Sequence, residues 1–203
     1  MNKLYIFFII TFFWSCEKSE LLSQKLREEV FVETTTFKVW YNEIYEQPIK
    51  LIYRSTNRPT NVNRGSMDFW IPKNVKTSDS KDYFNNIYDK GHLAPAATFS
   101  DNMDNLKSTF SYLNCSLQHE LLNRGEWKLL EEKERQWDDS ENLTVEVILD
   151  FKKDHIILPT GGHVPSGFYK KITWETSGKR ECYYFPNTIP SKSWQDSKID
   201  CKF

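Results

Sequence analysis

The sequence carries no excess of either charge: 27 Lys and Arg stand against 28 Asp and Glu, a formal net charge of −1. This excludes a domain that grips a polyanion through a strongly basic overall surface, so any contact with nucleic acid has to be argued from local groups. Cysteine is scarce as well, with four in the chain and none in a CxxC pair, which leaves a structural zinc knot without its ligands. No Pro/Gly/Ser-rich stretch divides the 203 residues and no internal repeat is visible, so one domain is expected. The apolar run from Leu4 to Trp14 is far too short to span a bilayer as a stable helix.

What is present at the start is a short positive segment, Met1-Asn2-Lys3, followed by that apolar run and then by polar sequence. This is the pattern of an export signal. Two endings fit it. Cys16 is acylated and anchors the protein to the cell surface, or cleavage between about Ser15 and Ser19 releases it. Residues 1–16 are therefore assigned to targeting, residues 17–34 to a charged stalk, and residues 35–203 to the folded domain. In an oxidising compartment Cys182 and Cys201 are the natural disulfide pair, while Cys115, flanked by Leu113 and Leu117, reads as a buried free thiol.

The composition, 39% hydrophobic, 15% aromatic and 27% charged, suits a mixed α/β core. Phe37 to Tyr41 and Ile49 to Tyr53 alternate apolar and polar residues as half-buried strands do. Ser55 to Tyr83 is rich in Asn, Thr, Ser and Pro and reads as surface loop, with basic residues free to reach a ligand. One long helix is predicted from Leu117 to about Trp137, and Gly125 within it is read either as a close approach to the backbone or as a tolerated interior glycine. Leu143 to Leu149, His155 to Leu158, Phe168 to Trp174 and Cys182 to Phe185 read as further strands. Strands at both ends with a long helix between them point to α+β around an antiparallel or mixed sheet.

Two segments stand apart from this scaffold. The first is Asp89-Lys90-Gly91-His92-Leu93-Ala94-Pro95-Ala96; the second, about thirty residues on, is Asn123-Arg124-Gly125-Glu126-Trp127 with Leu130-Glu131. Together with Thr109-Phe110, Asn114 and Gln118 they resemble the signature and metal helix of the ββα-metal, endonuclease G-like DNA/RNA non-specific endonucleases. Ile157-Leu158-Pro159, Pro165 to Lys170 and Phe185-Pro186-Asn187 are similar to that family's closing strands, so the resemblance runs from about Phe37 to about Asn187.

The resemblance implies a ββα-metal motif and a role for each residue. His92 is the general base, Asn123 the single direct protein ligand of Mg²⁺ or another divalent cation such as Mn²⁺, and Glu131 the residue that orients the ion's water shell. The chemistry is self-consistent. Phosphodiester hydrolysis needs a base, charge compensation on the phosphoryl oxygens and help for the departing 3′ oxygen. A histidine titrates near neutrality, and an amide oxygen suits a hard cation that keeps its waters. On an ideal helix, eight residues turn through about 800°, which leaves Glu131 about 80° from Asn123.

Phosphate contacts are expected from Lys90, where the family usually has arginine, and from Arg64, with Arg54 and Arg58 as rivals. Asp89, Asn114 and Gln118 are expected to support the site, Gln118 doing so or simply starting the helix. Such a site reads no bases, so DNA and RNA are both expected substrates. A silent domain of the same fold, or a phosphodiesterase acting on another phosphate ester, are the competing readings; the joint presence of His92, Asn123 and Glu131 argues against the first.

Overall fold

A computed structural model describes residues 26–202. The segment expected to direct export, Cys16 and the first part of the expected stalk lie outside these residues. Among the described residues no helix is long and apolar enough to cross a membrane.

The alternating segments pair as expected into a seven-stranded antiparallel sheet. Its strands are β1 (Val30–Glu33), β2 (Phe37–Asn42), β3 (Gln47–Ser55), β6 (Leu143–Asp150), β7 (Gly167–Trp174), β8 (Arg180–Pro186) and β9 (Lys198–Ile199), in that spatial order. Period-two alternation sends Val39 and Tyr41, Leu51 and Tyr53, Val145 and Val147, and Phe168 and Ile172 to the buried face. Each contributes roughly 1.5–3 kcal/mol on leaving water. A disulfide between Cys182 and Cys201, with Cα atoms 5.3 Å apart, ties the chain end to β8 beside the short edge strand β9.

A second, two-stranded sheet consists of β4 (Tyr88–His92) and β5 (Cys115–His119), with α1 (Met103–Thr109) in the connection between them. β5 runs into the helical stretch 120–137, which comprises α2 (Glu120–Leu122), a π turn (Asn123–Trp127) and α3 (Lys128–Trp137). Leu122, Trp127 and Leu130 from this stretch enter the core, and the Trp127 ring packs on Phe168 of β7 and Phe185 of β8, at 5.4 and 5.6 Å. The chain is therefore α+β, with a strand–strand–helix unit laid against a large sheet.

A lone two-stranded hairpin is marginal in water, and this one is held by side-chain amides. Buried Gln47 of β3 accepts hydrogen bonds from Leu117 N (3.1 Å) and Ser116 Oγ (3.0 Å). Asn187, just after β8, accepts from His119 N at 2.7 Å and donates to Leu117 O at 2.9 Å. The free edge of β5 is thus satisfied without a further strand.

Four expectations change. The helix begins at Glu120, not Leu117, because residues 115–119 pair with β4; the Leu117 and Leu121 spacing that suggests one helix bridges a strand and a helix. Gln118 is accordingly a strand residue. The stalk assigned to 17–34 ends inside the fold, since Val30–Glu33 pairs with β2 and Arg27 bonds Glu43. His155 to Leu158 forms no strand; only an isolated Ile157–His163 bridge occurs there, before Pro159, Gly161 and Gly162 turn the chain. Gly125 meets no close neighbour, as a Cβ there would find nothing within 4 Å; its backbone, with φ −106° and ψ −114°, instead breaks the regular helix within the π turn.

Candidate active site

The site is built on β4 and the helical stretch that follows β5. Gly91 on β4 is required by close approach: a Cβ there would lie 2.3 Å from the Gln118 side chain, which crosses from β5. The residue after it, His92, has its ring between Phe69 and Phe110, with centroids 4.6 and 4.9 Å away. Part of the residue reaches the surface, but Nε2 is closed off from solvent and has no hydrogen-bond partner. Burial, reinforced by the nearby Arg64 charge, lowers the imidazole pKa to about 3, so His92 is neutral and a weaker base than free imidazole.

Arg64 and Lys90 flank this ring. The Arg64 guanidinium lies 5.3 Å from the Phe110 centroid and takes part in none of the described ion pairs. Lys90 donates to both oxygens of Asp68, at 2.8 and 3.0 Å, and sits over Tyr112. Lys90 in turn holds the Asp68 carboxyl below its usual range. The rival arginines lie elsewhere: Arg54 pairs with Glu175, and Arg58 pairs with Asp101 over the Phe99 ring.

Asp89 joins β4 to the helix. Its Oδ2 accepts from Asn123 Nδ2 at 2.9 Å, and both its oxygens accept from Arg124, at 2.9 and 2.6 Å. A carboxylate only accepts, so the NH₂ of Asn123 must face Asp89 and its Oδ1 must face away. Asn123 opens the π turn, so its amide oxygen points out from an irregular part of the helix rather than from a regular one.

Glu131 lies in α3, beyond the π turn. Its Oε1 is buried and unpartnered, and burial pushes its pKa up to about 8, against the pull of Lys170. The Trp127 indole is near enough to favour the charged form, yet no hydrogen bond of good geometry joins the two. No hydrogen bond connects His92, Asn123 and Glu131 to one another; β4 and the helix set their relation. The irregular turn between Asn123 and Glu131 also means that the ideal 80° count does not apply here.

The supporting residues divide. Asn114 is wholly buried and clamps the chain after His92, accepting from Ala94 N (2.7 Å) and donating to Ala94 O and Thr109 O (2.9 Å each). Both amide atoms of Gln118 are buried without a partner. Cys115 is buried and bonds the Tyr83 hydroxyl at 3.1 Å, and burial pushes its thiol up, away from reactivity.

Several groups at the site escape a sequence reading. Phe69 and Phe110 wall in His92, Arg124 secures Asp89, and an ion pair between Glu134 and Lys170 lies in the core behind Glu131. Phe110 and Arg124 stand in the segments singled out in the sequence, though without these roles, and Lys170 leaves a signal of its own, a charge on the inward row Phe168, Lys170, Ile172, Trp174 of a strand.

Comparison with known proteins bears on the fold and the family. No curated protein matches the sequence. The fold is similar to that in a crystal structure of the EndoG/EndoGI complex, on the mechanism of EndoG inhibition, with a TM-score of 0.74 at 22% identity, covering 84% of this chain and 80% of that one. The family described as DNA/RNA non-specific endonuclease matches residues 22–202, and the chain belongs to it.

Proposed function

We propose that the domain is a divalent-cation-dependent endonuclease that hydrolyses the phosphodiester bonds of both DNA and RNA. One observation carries the reading: Asp89 turns the Asn123 amide so that its oxygen is free for a cation, on the same strand that holds the neutral His92. The residues fit such an ion, since Asn123 Oδ1 has no protein donor and Glu131 Oε1 is buried without a partner. A neutral amide oxygen suits a hard ion that keeps most of its water. Bound at Asn123, with Glu131 orienting its waters, the ion would supply charge compensation to the phosphoryl oxygens and to the departing 3′ oxygen.

The chain does the rest. His92, with Nε2 closed off, accepts the proton of the attacking water at Nδ1. Arg64 and Lys90 grip the phosphate. A phosphate beside Arg64 offsets the positive charge that helps to depress the His92 pKa, and so strengthens the base when substrate is bound. None of these groups reads a base edge, hence the indifference to sequence and sugar. The Cys182–Cys201 disulfide supports the reading of residues 1–16 as an export signal, by which the protein is secreted or held at the cell surface through Cys16.

The test is a purified domain lacking residues 1–16, given plasmid DNA and RNA with Mg²⁺ or Mn²⁺ and with excess chelator. Cleavage of both substrates only with metal is expected. Full activity in chelator would remove the cation from the mechanism, and cleavage of neither substrate would refute the reading.

A further inference from the structure

Behind the site lies an arrangement that fold stability alone does not call for. Lys170 of β7 and Glu134 of α3 are both 0% exposed, with Nζ 2.7 Å from Oε1. The Tyr53 hydroxyl donates to the other Glu134 oxygen, so that carboxylate is fully used. Burial keeps the Tyr53 phenol protonated for this bond, aided by the Glu134 and Glu131 charges. The Lys170 ammonium also sits 4.1 Å from the centroid of the Trp127 ring, on the turn that carries Asn123. A buried pair of this kind is often no more stable than well-packed apolar residues of similar volume.

Its position explains it better. Glu131 is three residues before Glu134 on the same helix, so the two carboxylates are near neighbours. The groups that act on Glu131 are Lys170 from β7, Tyr53 from β3, and Trp127, Glu134 and Arg135 from its own helical stretch. Lys170 is the strongest of the charges and opposes both burial and Glu134. Glu134 and the Trp127 ring fix where that ammonium stands, and a compact point charge on a buried stem suits the task.

We propose that Lys170 is a positioning residue of the nuclease site, whose buried ammonium, held by Glu134 and Trp127, stands behind Glu131, favours its carboxylate form and directs it towards the site. The inference rests on the role given to Glu131 above. It makes opposite demands on the two partners. Removing the ammonium weakens Glu131 as an anion, whereas neutralising Glu134 strengthens it. A merely structural pair would show the same damage from either side.

The experiment measures Mn²⁺ affinity by the paramagnetic resonance of free Mn²⁺, at pH 6.5 and pH 8.5, in the wild type and in Lys170→Met, Glu134→Gln and Glu131→Gln, with folding checked by circular dichroism. Lys170→Met is expected to weaken binding by about tenfold or more, and more at the lower pH, as the loss of an outer-shell partner does. Glu134→Gln is expected to bind at least as tightly as the wild type. Should Lys170→Met not fold, Lys170→Gln, which can still donate a hydrogen bond to Glu134 but lacks the charge, takes its place with the same expected weakening. Unchanged affinity in the folded Lys170 variants, or equal weakening in Lys170→Met and Glu134→Gln, overturns the proposal. If Glu131→Gln itself binds Mn²⁺ as the wild type does, the role of Glu131 fails and takes this inference with it. If Glu131→Gln binds weakly and the Lys170 variants do not, the inference fails alone.

Discussion

Replacing Asp89 with alanine separates orientation of the metal ligand from its presence. In the wild type the Asn123 NH₂ donates to a carboxylate oxygen at 2.9 Å. A hydrogen bond to a charged group contributes about 1.5–3 kcal/mol, and each 1.4 kcal/mol is a factor of about ten. Without Asp89 the amide can turn its oxygen away, so Mn²⁺ should bind roughly 10–100-fold more weakly in Asp89→Ala. Stability should change far less. The other partner of Asp89 is Arg124, whose side chain is 63% exposed, and such pairs contribute up to about 1 kcal/mol. Asp89→Asn keeps a neutral acceptor for the amide and should fall between the two. Mn²⁺ titration with a plasmid-nicking assay across metal concentrations reads both quantities. Activity should return at high metal. Unchanged metal affinity, or a loss of activity that no metal concentration restores, would refute the idea that Asp89 acts through Asn123.

If Glu131 orients the ion's waters as proposed, metal binding should depend on pH. Its folded pKa of about 8 exceeds the ordinary carboxylate value of about 4.3, so the contribution to metal-free stability is full below about pH 4 and is lost as pH rises through 8. Mn²⁺ favours the carboxylate, so the rise in Tm on adding Mn²⁺ should grow between pH 6 and pH 9; a rise independent of pH would contradict this. His92→Ala should lose at least about 10²–10⁴-fold in rate with metal affinity intact, whereas Asn123→Ala should recover part of its activity at high metal. An identical metal response in the two variants would recast His92 as a ligand. Lys90→Arg should keep or raise cleavage and Lys90→Ala should lower it, with the salt dependence of binding shallower by about one unit of slope. An unchanged alanine variant would show that Lys90 never meets phosphate.

Much of this architecture is legible in the sequence because it rests on period-two alternation. Most long strands of the main sheet are announced by alternating residues, as in Phe37-Lys38-Val39-Trp40-Tyr41, and β8 by the apolar run Cys182-Tyr183-Tyr184-Phe185. What alternation cannot show is pairing. Cys115–His119 is buried throughout as a strand, so it carries no alternation, and its Leu117 sits at a helical interval from Leu121. Only its tertiary partners, β4 on one side and the Gln47 and Asn187 amides on the other, make it a strand. The site is legible to the same degree. Asp89, His92, Asn123 and Glu131 stand in a recognisable order, but the bond that orients Asn123 spans 34 residues, and the rings enclosing His92 come from two separate segments. Such contacts leave no local trace.

The near-zero net charge is compatible with a nuclease because of where the cations are placed. Arg64 and Lys90 lie near His92, while elsewhere many basic groups are matched in pairs such as Arg54–Glu175, Lys50–Glu146 and Lys198–Glu181. At the site Lys90 has Asp68 as its partner, and the Asp68 side chain is 71% exposed. An exposed carboxylate is a weak, replaceable counterion, so an incoming phosphate can take its place at little cost. On the proposed mechanism, a phosphate held by Arg64 and Lys90 beside His92 needs no long stretch of bound polyanion, which would slow release of the cut strands. A strongly basic surface would add affinity for every phosphate alike and none for the transition state, and only the second raises the rate.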